Sequence, residues 1–163
     1  MTSYDDYRKH LAHVLAGKSL STQREFGRSV LGRMLPHVDN ADKDALREEE
    51  KMLIASVTET VRSGSFDMIE IERVLKRFET LAQEDDVHAI ETDGEIVQFL
   101  CGLEGLVALE RQQVRQAAAR ISESLMNILD HHFTKETLLS SWLTTPEIKN
   151  EFDQQIEFLR QRT

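Results

Sequence analysis

Apolar residues recur every three or four positions along almost the whole chain, the spacing of helices that each bury one face. Tyr4, Tyr7, Leu11, Val14 and Leu15 fall on one side of a first helix, and Gly17 stands where a glycine would end it. Thr22-x-x-Glu25 has the form of a capping box ahead of Phe26, Val30, Leu31 and Met34, and Pro36 is expected to stop that helix. Leu46, Leu53, Val57 and Val61 line a third helix that follows the polar segment Asp39–Asp44 and ends at Gly64. Asp67-x-x-Glu70 opens a fourth, with Met68, Ile71, Leu75, Phe78 and Ala82 inward.

Thr92-x-x-Glu95 leads into the most apolar helix, Ile96 to about Leu109, the expected centre of the core. A break is expected near Glu110–Gln113, and Val114, Ala118, Ile121, Leu125 and Ile128 form the seam of a sixth helix. Thr134 is expected to cap a short seventh helix carrying Leu138, Leu139, Trp142 and Leu143. Thr145-Pro146-Glu147 starts the last, with proline in the first turn and Ile148, Phe152, Ile156 and Leu159 inward. Only Asp85–Ile90 resembles a strand, and it is too short and too acidic to build a sheet. The pattern predicts an all-α, single-domain bundle of seven or eight helices over residues 1–163.

Composition narrows the chemistry. The 163 residues hold one cysteine, Cys101, which excludes an internal disulfide and any multi-thiolate metal site. The longest uncharged stretch in the apolar centre, Ile96 to Leu103, falls far short of the roughly 20 residues that cross a bilayer. The first ten residues lack the apolar core of a signal peptide, so neither membrane nor export is expected, and the cytoplasm is the expected location. With 29 acids against 20 bases the formal charge is −9, which repels phosphate backbones and argues against a nucleic-acid partner. The charge is uneven, since residues 1–37 hold six bases and three acids and the remainder carries the acidic excess.

Catalytic signatures are sparse. The chain has no Glu-x-x-His for a di-iron bundle, no His-Glu-x-x-His, no Gly-x-Ser-x-Gly and no phosphate-binding glycine loop. With Gly94 at the sixth position of a calcium loop, the first position would be Ala89, which offers no carboxylate. Asp6, His10 and His13 share one helical face roughly opposite the apolar stripe. Two imidazoles and a carboxylate at that spacing suit an open zinc site, or a solvated polar face. His131 and His132 beside Asp130 suit the negative end of the sixth helix, since adjacent histidines diverge too far to share one metal easily. Cys101, Gly105 and Ala108 form a small-residue stripe that admits another helix, either within the chain or across a homodimer, and Cys101 is expected to be buried and slow to react.

One segment carries a likeness. Pro146 followed by Glu151-Phe152-Asp153-x-Gln155-x-Glu157 resembles the final helix of the bacterial domain-of-unknown-function family 416 (DUF416, the YjaG-like proteins). Arg33-Met34-Leu35-Pro36 is similar to that family's arginine–methionine–proline stretch, and Asp93, Ser122 and Ser124 fall in similar places. The likeness spans about Thr22 to Leu159 and implies an all-helical fold. It implies no catalytic residue, because the family has no assigned biochemical role.

Two functional expectations result. The first is a non-enzymatic module that binds a basic protein, of an immunity or regulatory kind, through Glu84, Asp85, Asp86 and Glu91, with no cofactor. Six carboxylates between Glu84 and Glu95 without a Lys or Arg can steer such a partner. The second, of a different class, is a metal-binding protein or metal-dependent hydrolase built on Asp6, His10 and His13 or on the His131–His132 pair.

Overall fold

The uncharged run Ile96–Leu103 becomes the middle of the core, with Ile96, Phe99 and Leu103 fully buried. The computed structural model of the protein describes residues 3–84, 94–133 and 139–162. Among these residues there is no strand. The helices are α1 (Tyr4–Ala16), α2 (Leu20–Asp39), α3 (Glu48–Arg62), α4 (Met68–Glu84), α5 (Gly94–Arg111), α6 (Ala117–Phe133) and α7 (Pro146–Arg160). A 3-10 helix, Leu139–Thr144, lies between the last two. None of the helices is long and apolar enough to cross a membrane.

Helices α5 and α6 make the most extensive pairing, and α2 packs against both. Gly105 permits the close approach. A Cβ there would stand 2.9 Å from Ile121 Cγ1 and 3.4 Å from the Ala117 carbonyl oxygen. The small-residue stripe is therefore used, at Gly105, inside the molecule. Leu31 and Met34 of α2 close over the other side of α5 at Gly102. Helices α1, α7 and the 3-10 helix cover one side of this trio, while α3 and α4 form a hairpin on another.

Several helix ends follow their local signals. Glu70 N–H donates to Asp67 Oδ1 at the start of α4, and Pro146 occupies the first turn of α7. Gly64, at φ +78°, turns the chain after α3. Other boundaries shift. Ser19, not Thr22, caps α2, and its Oγ accepts from the Thr22 N–H at 3.1 Å. Pro36 does not stop α2, which runs on to Asp39. A proline costs the bond to the carbonyl four residues back, here that of Gly32, and in the last turn of the helix that is a single bond. The Lys43 ammonium then donates to the Val38, Asp39 and Ala41 carbonyls and closes the helix end.

The break after α5 falls at Gln113, which adopts φ +56°, and α6 begins only at Ala117, leaving Val114 outside it and part-exposed. On α4 Ile71, Val74 and Leu81 are buried, and Met68, Leu75 and Phe78 are partly buried and pack against the same core, as the spacing predicts. The segment expected as a seventh α-helix is 3-10 where described, with Trp142 and Leu143 buried; its expected cap, Thr134, lies outside the described residues.

Candidate functional site

Glu84 closes α4 and is exposed, while Asp85, Asp86 and Glu91 lie outside the described residues. Asp6 and His13 face solvent as their helical position dictates, but His10 is half-buried, its ring 6.1 Å from that of Phe152. Among the described residues no group of three or more His, Cys, Asp and Glu side chains is placed to hold a metal ion. Cys101 is exposed, which corrects its expected burial. Helix α5 is apolar almost all round, so the spacing alone does not say which residue turns outward. Partial burial pushes the Cys101 thiol up, Glu104 pushes it further, and Arg120 opposes them.

The most connected polar site is interior. Arg33 on α2 donates to both carboxylate oxygens of Glu151 on α7, Nε to Oε2 at 2.9 Å and Nη2 to Oε1 at 2.7 Å. Arg33 Nη1 also donates to Ser29 Oγ at 2.7 Å. Gln155 Nε2 donates to Glu151 Oε1 at 2.8 Å, and Gln155 Oε1 accepts from Tyr7 on α1 (2.7 Å) and Ser122 on α6 (2.5 Å). Tyr7 and Ser122 also touch each other. Four helices thus meet in one chain of bonds. Two hydroxyl protons serve three close contacts there, so the triangle cannot be satisfied on every side at once. Burial, reinforced by Glu151, pushes the Tyr7 phenol well above its usual range against the lowering bond from Ser122, so Tyr7 acts as a neutral donor.

A second cluster gathers residues distant in sequence. His132, in the last turn of α6, donates from Nε2 to Oε1 of the buried Glu95 at the start of α5, at 2.8 Å. The His37 ring, in the last turn of α2, lies 5.5 Å from that of His132. Asn40, Asp42 and Phe133 join them around a hollow of about 270 Å³. Burial holds His37 below the usual imidazole range, the neighbouring His132 lowers it further, and Glu151 opposes both. The sequence places Glu95 only at a helix start and gives His37 no signal, because the partner of each lies on another helix. The one signal was His132 itself.

No protein-family model matches the chain, and no significant match is found among curated proteins or solved structures.

Proposed function

We propose that the protein is a non-catalytic interaction module that binds a basic protein through its acidic surface. The observation that carries this reading is the distribution of charge. Cations along the helices are drawn into ion pairs within the chain, among them Arg28–Glu110, Arg33–Glu151, Arg62–Asp39, Arg77–Glu49 and Arg111–Glu72. The acidic excess of a chain at −9 then stands outward, with Glu59, Glu79, Glu84 and Glu104 exposed. Glu84 leads directly into Asp85, Asp86 and Glu91. Clustered carboxylates raise the encounter rate of a cationic partner in a strongly salt-dependent way.

The test is chemical crosslinking in native cells followed by association kinetics with the partner recovered. A variant carrying Glu84→Gln, Asp85→Asn, Asp86→Asn and Glu91→Gln keeps its thermal stability and associates several-fold more slowly at low salt, the difference shrinking above about 0.3 M salt. Crosslinks confined to other faces, with unchanged kinetics in the variant, reject this reading.

A further inference from the structure

Three helix ends meet around the hollow of about 270 Å³ that His37 and His132 border. Helix α2 runs out beside it at Asp39 and α6 at Phe133, so two dipoles present their negative ends to it. Helix α5 starts there at Gly94, and Glu95 in its first turn offsets that one positive end. Lys43 is held on the last carbonyls of α2. Among the described residues no lysine or arginine lines the hollow.

Carboxylates and flat rings make up its walls. Glu95, 6% exposed, is held from one side by His132 Nε2 at 2.8 Å. Asp42 is exposed, and its Oδ1 accepts from the Asp44 N–H at 2.8 Å, which fixes the carboxylate in place. The His132 ring lies 5.5 Å from that of His37 and 6.0 Å from that of Phe133. Phe133 is one of few large apolar side chains that the described surface leaves in water, at 44% exposed. Glu95 also closes the acidic run that begins at Glu84, so the hollow stands at one end of that segment.

We propose that this hollow receives an arginine side chain of a basic protein partner. The proposal rests on the reading of the protein as a binder of a basic protein, and it names the group that such a partner presents. A guanidinium is flat and weakly hydrated, so it lies on the exposed face of Phe133. Its paired N–H groups meet the Asp42 carboxylate in two parallel hydrogen bonds, and Glu95 adds negative charge behind them. A lysine ammonium has neither the flat face nor the fork. An anion is repelled by both carboxylates and by the two helix ends. A metal ion lacks a set of three donors among the described residues.

The experiment is a titration of isotope-labelled protein with acetyl-(Ala-Arg)3-amide, followed by nuclear magnetic resonance in about 0.15 M salt, where diffuse attraction is screened. Acetyl-(Ala-Lys)3-amide and zinc chloride are run in parallel. Saturable shifts are expected at the Asn40 side-chain amide, the Ala41 N–H and the Phe133 ring with the arginine peptide, and weaker ones with the lysine peptide. Asp42→Asn keeps an acceptor for the Asp44 N–H, and Phe133→Leu keeps apolar bulk. Each is expected to weaken binding about fivefold with an unchanged melting temperature. Absence of saturable shifts, an equal response to the lysine peptide, or full binding by both variants overturns the proposal. Zinc shifts at His37 and His132 where the peptide gives none also overturn it, since the hollow then belongs to a metal ion. The variant neutralised at Glu84, Asp85, Asp86 and Glu91 keeps the hollow intact and is expected to bind the peptide within about twofold of the parent. The two readings therefore fail separately. A partner slowed by those four substitutions, with no peptide in the hollow, removes the arginine site alone. Peptide in the hollow, with a partner indifferent to the four substitutions, removes the role of the acidic segment alone.

Discussion

Arg33 and Glu151 lie 118 residues apart in the chain and meet in a two-pronged ion pair with Glu151 almost fully buried. The pair does more than join α2 to α7, because Glu151 also holds Gln155, which in turn fixes Tyr7 and Ser122. Removing one partner of a buried pair strands the other charge and costs about 3–5 kcal/mol, less where one member reaches solvent as Arg33 does. Glu151→Ala is therefore expected to destabilise the protein by about 2–4 kcal/mol in denaturant unfolding. Arg33→Met with Glu151→Leu should recover a large part of that loss. A double variant as unstable as the sum of the two single ones would show that the pair is not energetically coupled.

Gly105 and Gly32 predict opposite results for the same change. Both are helical, so alanine gains about 1 kcal/mol of intrinsic preference at either position. At Gly32 a Cβ meets nothing within 4 Å, and Gly32→Ala is expected to stabilise by about 0.5–1 kcal/mol. At Gly105 the new carbon lies 2.9 Å from Ile121 Cγ1, next to the branch of that side chain, and 3.4 Å from the Ala117 carbonyl. Overpacking of this kind costs about 1–3 kcal/mol, which outweighs the gain, so Gly105→Ala is expected to be destabilising. Melting temperatures of the two variants that move in the same direction would contradict this packing.

The helices were legible in the sequence because each carries an apolar face at 3.6-residue spacing, and that spacing is local information. The ends were less so. Ser19 and Thr22 are both competent caps, and only the packing of α2 against α5 and α6 decides where the helix begins. Pro36 lies inside the last turn of α2, whose final carbonyls are met by the distant Lys43 ammonium, a contact the local pattern does not state. The cooperating polar groups were hardest to find. Arg33, Ser122, Glu151 and Gln155 stand far apart in the sequence, and Tyr7 reads only as part of an apolar stripe. Their convergence depends on how α1, α2, α6 and α7 cross, which periodicity does not encode.

Cys101 gives a direct chemical test of how α5 is turned. The side chain is exposed, so a maleimide should label it stoichiometrically in native protein, without denaturant. The rate should still trail that of a free thiol, because partial burial and Glu104 hold the thiol above its ordinary range and reduce the reactive thiolate. Glu104→Gln is expected to speed labelling modestly, and Arg120→Gln to slow it. No labelling until the protein unfolds would mean that α5 presents a different face to solvent.

His37 should make stability depend on pH near neutrality. Its folded-state affinity for a proton is lower than that of an unfolded imidazole, first because it is half-buried and second because His132 lies beside it. Above about pH 7 the ring is neutral in both states and contributes no difference. As the pH falls through about 6.5 the unfolded chain takes up the proton first, so the native state loses relative stability until its own, lower value is passed. The groups around it act in known directions. Glu151 on α7 eases protonation, and the His132 imidazole on α6, bonded to Glu95 on α5, hinders it. His37→Gln is thus expected to lose less melting temperature between pH 7.5 and 5.5 than the parent protein. In a His132→Gln background the same substitution should still flatten the profile, but by a smaller amount, because burial, the larger cause, remains. A parent profile matched by His37→Gln across this range would remove His37 from the account, and an effect that vanished entirely without His132 would assign the shift to charge rather than burial.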